Sequence, residues 1–159
     1  MGSFFTICVV GVLACAILDL WQRILLLVTK IPPSNWAMVG RWLFLFLKSM
    51  LWVQRDLSAQ PPVRNELYIG WLFHYAVAIL YALFFFFLFS EGMLSLSLRD
   101  GVVFGIISVI VPWFFFMPAM GAGILANKTP NPPLACILAL IAHTLFGGAL
   151  GAFFNVFYY

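Results

Sequence analysis

Residues 66–90 read ELYIGWLFHYAVAILYALFFFFLFS, a stretch in which Glu66 is the only Asp, Glu, Lys or Arg. A helix needs about 20 mostly apolar residues to cross the hydrocarbon of a bilayer, since each residue rises about 1.5 Å. Lipid offers no hydrogen-bond partner to the backbone, so a stretch of this kind is expected to be helical. It therefore predicts a transmembrane helix.

Three further stretches have the same character, at residues 4–29, 101–126 and 134–157. Prolines separate them: Pro32 and Pro33 close the first, and residues 129–133 divide the third from the fourth. Proline removes a backbone donor and ends or kinks a helix. The sequence thus predicts an all-α membrane protein, a bundle of four transmembrane helices in one domain of residues 1–159.

Composition supports this fold class and excludes others. Of 159 residues, 65% are hydrophobic and 8% are charged, whereas an ordinary soluble domain has about 25% charged residues. So few charges cannot cover the surface of a soluble globule, and the expected solvent is the lipid bilayer. The net charge of +3 is small and dispersed, so nucleic acid is not an expected partner.

Lys and Arg indicate how the helices are oriented. Most of them lie between the first two stretches, namely Lys30, Arg41, Lys48, Arg55 and Arg64, and the loop after the third stretch adds Lys128. Basic loops tend to stay in the cytoplasm. The first and third loops are therefore predicted to be cytoplasmic, with both termini outside.

The long first loop carries a seven-residue repeat of polar residues, Ser34, Arg41, Lys48 and Arg55. This spacing keeps them on one helical face, and aromatic residues lie between them. Residues 34–54 are thus expected to form an amphipathic helix in the cytoplasmic interface, with Arg41, Lys48 and Arg55 toward lipid headgroups. It would serve as an anchor of the bundle or as a docking element for a partner.

Ionisable residues inside the apolar stretches are the candidates for chemistry, because they are costly to bury in a membrane. Asp19, His74 and His143 each lie ten or eleven residues from the predicted cytoplasmic end of their helix, which is a depth of about 15 Å. Met117 reaches the same depth in the third stretch, and Arg23 follows Asp19 by one turn, where the two could pair. We predict that these residues form one intramembrane polar layer.

Small residues at four-residue spacing accompany this layer and predict which way it faces. They let helix backbones approach closely, so the polar side chains beside them should point into the bundle. The residues predicted to pack helices are Gly70, Ala139, Gly147 and Gly151.

Several functions are compatible with such a layer. It could be a structural hydrogen-bond network, a proton or ion relay in a small permease, or a haem or metal site with the two histidines as ligands. Pro112 and Pro118 interrupt the third stretch, either as ordinary kinks or as a break of the kind that transporters use. No motif of a membrane enzyme is present, so no catalytic residue is nominated and no cofactor is predicted.

Six short segments carry a resemblance to a known family: AILDLW (16–21), VGRW (39–42), GWLFHY (70–75), PAMGAGI (118–124), KTP (128–130) and AHTLFG (142–147). In this order they resemble the bacterial membrane family known as domain of unknown function 2938. The resemblance implies a multi-pass protein of the bacterial inner (plasma) membrane, with four spans and no assigned activity. Met117 stands where relatives are expected to carry glutamine, which argues against a ligand role for its sulfur.

These observations favour a non-catalytic membrane component that works in a homo-oligomer or in a larger membrane complex. A small permease is the first alternative. It would require self-assembly, because four helices rarely enclose a translocation path alone, and this favours the non-catalytic component. A haem-binding or metal-binding membrane protein is the second.

Overall fold

A computed structural model describes residues 4–54 and 56–158. Within that part of the chain the regular secondary structure is helical, and no strand occurs. The α-helices are α1 (Phe4–Thr29), α2 (Trp36–Ser49), α3 (Glu66–Ser90), α4 (Leu98–Ser108), α5 (Met117–Ala119) and α6 (Pro132–Tyr158). Short 3₁₀ turns lie at Leu57–Ala59 and Ile124–Ala126, and a π-helical turn at Pro112–Phe116 precedes α5.

Four helical segments are long and apolar enough to cross a membrane: Phe4–Thr29, Glu66–Ser90, Leu98–Ala119 and Pro132–Tyr158. The predicted fold class, an all-α protein with four membrane-spanning helices, is confirmed. The third span ends at Ala119 rather than at 126, because Gly121 and Gly123 have φ angles of +83° and +78° and cannot continue a right-handed helix.

The last span begins two residues before the predicted start. Pro132 opens α6, where proline is tolerated because the first helical N–H has no partner in any case. The side chain of Asn131 caps this end by accepting a hydrogen bond from the Leu134 N–H at 3.2 Å. The proline thus forms the first turn of the helix and does not separate it from the loop.

The helix predicted for residues 34–54 is shorter in the structure. It starts after Asn35, whose side chain caps the Met38 N–H at 3.2 Å, and it stops at Met50, which adopts a left-handed conformation with φ of 56°. The aromatic residues after Met50 leave the helix and pack as a loop.

The chain divides into two compact units. The first contains residues 4–34, 75–108 and 140–158, and the second contains residues 35–54, 56–74 and 109–139. The prediction of a single transmembrane domain is not decided by this division and stays a prediction.

In the first unit, α4 and α6 meet backbone to backbone. A Cβ on Gly101 would collide with the Gly147 carbonyl oxygen, and one on Gly147 would collide with the Gly101 carbonyl oxygen. Gly105 lies in the same way against the His143 carbonyl, and Gly151 against that of Ser97. Glycine is therefore needed at each of these positions for the two helices to approach this closely.

The second unit has an aromatic core around Trp42, whose side chain is 2% exposed. The Trp42 ring lies 4.9 Å from that of Trp52 and 5.7 Å from that of Phe116, measured between ring centroids in edge-on geometry. Its indole N–H donates to the Trp52 carbonyl at 3.0 Å. Because the indole has a hydrogen-bond partner, the large ring can be buried without losing a polar contact.

Candidate functional site

The carboxylate of Asp19 in α1 accepts a hydrogen bond from the hydroxyl of Tyr75 in α3, with an O–O distance of 2.9 Å. Both side chains are partly buried in the first unit. Arg23, one turn after Asp19, is exposed. A phenol from another helix therefore donates to this carboxylate.

His143 in α6 is bonded to Ser108 at the end of α4. The imidazole Nδ1 lies 2.8 Å from the Ser108 Oγ, and the hydroxyl donates to the Gly105 carbonyl at 2.8 Å. A hydroxyl has one proton, so the oxygen accepts from a protonated Nδ1 when that proton points to Gly105. In that arrangement Nδ1 carries the proton, and a ligand or proton-accepting role would fall to Nε2. If the hydroxyl donates to Nδ1 instead, the roles of the two ring nitrogens are reversed.

The position of Ser108 follows from the sequence around it. Pro112 has no N–H, so the Ser108 carbonyl lacks its usual helical donor, and the regular α4 helix ends at this residue. The π-helical turn then begins at Pro112. The Ser108 side chain is 8% exposed, and the tyrosine ring of Tyr81 meets the His143 ring edge-on at 5.9 Å between centroids.

His74 belongs to the second unit, where it stacks on an aromatic side chain of α2. Its ring centroid lies 3.8 Å from that of Trp36 with the planes 23° apart, and Trp71 meets it edge-on at 5.8 Å. Gly70 makes this possible, because a Cβ there would collide with the Trp36 carbonyl oxygen. The start of α3 is thus in backbone contact with α2.

The other predicted residues, Met117 of the polar layer and Ala139 of the helix-packing set, are placed as follows. Met117 is the first residue of α5, and its carbonyl accepts the Ala122 N–H at 2.8 Å. Ala139 is partly exposed in α6. Asp19 and His143 have partners in the first unit, and His74 has partners in the second. That Asp19, His74 and His143 form one connected layer stays a prediction, as does a haem or metal site built on the histidines.

The residues predicted to contact headgroups differ in their surroundings. Arg41 is buried, and its guanidinium forms two hydrogen bonds of 2.8 Å with the Glu66 carboxylate. It also donates to the Gln60 carbonyl at 2.7 Å. Lys48 is exposed, and Arg55 lies outside the described residues. The Arg41 guanidinium is therefore engaged within the chain.

The ion pair between Arg41 and Glu66 joins α2 to the first residue of α3 within the second unit. The same Glu66 carboxylate accepts the Val63 N–H at 2.9 Å, which fixes the turn before α3. The hydrogen bond that Arg41 donates to Glu66 raises the pKa of Arg41 above its ordinary value, because it favours the charged guanidinium. A two-bonded arginine–carboxylate pair is geometrically specific, so this contact sets how α2 meets the start of α3.

The sequence analysis assigned no role to three of these partner side chains, Tyr75, Ser108 and Glu66. Glu66 carried a visible signal, because it is the single acidic residue of its span and stands at its start. Ser108 carried a weaker one as the residue four positions before Pro112. Tyr75 had none, because its role depends on which residue of α1 lies opposite.

Comparison with known proteins places the chain in a family. The sequence model of the family described as protein of unknown function (DUF2938) matches residues 8–156. The chain belongs to this family. The resemblance seen in the six short segments is thereby confirmed, and the match reaches all four spans of the DUF2938 chain. No curated protein and no solved structure matches it.

Proposed function

We propose that this DUF2938 chain is a non-catalytic component of the bacterial inner membrane that acts in a homo-oligomer or a partner complex. In this proposal both termini lie outside the cytoplasm, and Lys48 and Arg55 are near lipid headgroups. The four apolar spans support a multi-pass membrane protein, and the basic first loop supports the orientation.

The observation that carries the proposal is the pairing of the two polar groups that lie deep in the first unit. The His143 ring is bonded to Ser108, and the Asp19 carboxylate is bonded to Tyr75. In residues 4–54 and 56–158, no buried side-chain nitrogen or oxygen lacks a hydrogen-bond partner. A polar group paired in this way costs little to bury and holds helices in register, which is what a scaffold requires.

The glycine contacts between α4 and α6 point the same way. Backbones that touch at Gly101 and Gly147 leave no room for a substrate between these two helices. Large apolar side chains instead face outward, for example Leu72 and Val156, which are 75% and 72% exposed. Such surfaces suit contact with lipid or with other membrane helices.

The mass of the intact assembly tests the proposal. The chain, with a mass of 17.9 kDa, is purified from the membrane in mild detergent and weighed by native mass spectrometry. We expect an integral multiple of the chain mass or a complex with a second polypeptide. A monomer at every protein concentration, with no co-purifying partner, would contradict it.

A small permease or proton-translocating subunit is the second candidate, and the interrupted third span favours it. The π-helical turn at Pro112–Phe116 makes the third span irregular near its end, and the left-handed Gly121 and Gly123 follow directly after it. Broken spans bind substrates or ions in many transporters. Proton flux into liposomes separates the two candidates: a relay would lose flux in Asp19→Asn but not in Glu91→Gln, an exposed control. A scaffold would show no flux with either.

A further inference from the structure

A cavity of about 400 Å³ lies in the second unit, between two loops. The loop after α2 contributes Asp56, and the loop after the third span contributes Asn127 and Lys128. The Gln54 N–H donates to the Ala119 carbonyl at 2.9 Å and so ties the two loops together. The volume is within the range of small-molecule sites, about 300–1,000 Å³. The cavity is a half-open pocket in which the side chains of Asp56, Asn127 and Lys128 are exposed.

Two glycines shape its wall. Gly121 and Gly123 both have positive φ angles, and a Cβ on Gly121 would come within 3.0 Å of the Gln54 carbonyl oxygen. A Cβ on Gly123 would collide with the side-chain oxygen of Asn127. The positive φ angles disfavour side chains at these two positions, so this part of the wall consists of backbone.

Among the residues that the structure describes, the cavity is lined by one positive and one negative side chain. Lys128 and Asp56 are both exposed. No ion pair joins Lys128 and Asp56, both of which lie in the part of the chain that the structure describes. The Asn127 amide offers both a donor and an acceptor, and Ile124 supplies an apolar surface. A ligand that matches this lining has opposite charges on a short carbon chain.

The position of the cavity along the chain indicates where such a ligand would come from. Pro118, which lines the cavity, is the penultimate residue of the span Leu98–Ala119. Lys128 lies four residues before Pro132, where the next span starts. The cavity therefore lies at the ends of two spans, which is the depth of lipid headgroups.

We propose that this cavity binds a small zwitterion in which an ammonium and a phosphate are joined by a short carbon chain. Lys128 and Asn127 hold the phosphate, and Asp56 accepts hydrogen bonds from the ammonium. Charge-assisted hydrogen bonds of this kind are about twice as strong as neutral ones. The chemistry is that of phosphoethanolamine, either as the headgroup of a bilayer lipid or as a free molecule in water. The site requires no oligomer, so it can fail or succeed separately from the proposed function.

The test measures binding to the purified full-length chain in detergent. Short-chain phosphatidylethanolamine, phosphatidylcholine and phosphatidylglycerol are titrated separately, as is free phosphoethanolamine, and bound molecules are counted by native mass spectrometry. We expect the ethanolamine lipid to bind about tenfold more tightly than the other two, because neither can donate an ammonium hydrogen bond to Asp56. Asp56→Asn should remove that preference. Lys128→Gln should weaken all three lipids about tenfold.

Matched controls keep the result specific. Glu91→Gln and Lys48→Gln remove exposed charges outside the cavity. Neither substitution should change the preference for the ethanolamine lipid or weaken the binding of the three lipids. Ile124→Trp, which fills the cavity and keeps both charges, should abolish binding. Equal binding of the three lipids, or equal losses in Lys48→Gln and Lys128→Gln, would overturn the proposal. If free phosphoethanolamine competes with the lipid at equal concentration, the ligand of this site is a molecule in water. If only the lipid binds, the ligand is a lipid headgroup. Binding of neither overturns it.

Discussion

Ser108 and His143 are joined by a hydrogen bond of 2.8 Å between Oγ and Nδ1, although 35 residues separate them in the sequence. The serine stands where proline ends the regular α4 helix, and the histidine stands where α6 presses its backbone against Gly105. The side-chain bond and the backbone contact therefore hold the same two helices at the same level.

Breaking the Ser108–His143 bond should destabilise the first unit. Ser108→Ala leaves the imidazole without this partner, and an orphaned buried polar group costs about 1–3 kcal/mol. His143→Gln should cost a similar amount, and the double variant less than the sum. Thermal unfolding in detergent measures all three. Ser90→Ala, at an exposed site, is the control, and a cycle without coupling would show that the bond contributes nothing.

The predicted polar layer makes a separate claim about Asp19 and His143. If these side chains belong to one network, Asp19→Asn and His143→Gln should show coupling of about 0.5 kcal/mol or more in a double-mutant cycle. Tyr75→Phe serves as a reference, because it removes the hydroxyl that donates to Asp19. Strict additivity between Asp19 and His143, with coupling between Asp19 and Tyr75, would divide the layer into separate pairs.

Two neighbouring glycines of α6 provide a matched test of the helix contact. Gly147→Ala would place a methyl group on the backbone of Gly101 and Gly105, and backbone cannot yield. We expect a loss of about 1–3 kcal/mol or more. Gly148→Ala would meet only the ends of the Val102 and Leu98 side chains at 3.3 and 3.4 Å. There, the gain in helix propensity of about 1 kcal/mol offsets the tighter packing.

Both variants are measured by thermal unfolding in the same detergent. We expect the melting temperature of Gly148→Ala to be close to that of the unchanged chain, and the melting temperature of Gly147→Ala to be well below it. The opposite order would mean that α4 and α6 do not touch at Gly101 and Gly147.

The Arg41–Glu66 pair should depend on geometry as well as on charge. Arg41→Lys keeps the charge but cannot form two parallel hydrogen bonds with one carboxylate. We therefore expect it to lower the melting temperature almost as much as Arg41→Gln does. Lys48→Gln, an exposed site on the same helix, should have little effect. Full rescue by lysine would show that charge alone is required.

The orientation can be tested without purification. Reporter fusions after Tyr159 and within residues 56–62 should report opposite sides of the membrane, because basic loops remain in the cytoplasm. A fusion after Tyr159 that reports the cytoplasm would overturn the predicted orientation. The helices themselves would be unaffected by that result.

Sequence reasoning located the helices well and their ends less well. Apolar length decides that residues 66–90 are helical in lipid, whatever surrounds them. The same criterion predicted that residues 120–126 are helical, which was wrong. Hydropathy carries no information about backbone angles, and Gly121 and Gly123 have positive φ angles that end the helix. The seven-residue repeat likewise extended α2 past Met50, where the chain turns so that Trp52 can pack on Trp42.

The partners of the polar residues show where the limit lies. By itself the sequence determined that Asp19 and His143 lie within apolar helices, since burial along one helix is a local property of spacing and hydropathy. Only the tertiary structure decided that Asp19 accepts from Tyr75, that His143 is bonded to Ser108, and that Arg41 meets Glu66. Those pairings depend on the rotation and the vertical offset of one helix against another. Backbone contacts such as that of Gly101 with Gly147 set this rotation and this offset. The periodicity of residues within a single helix carries no information about either one.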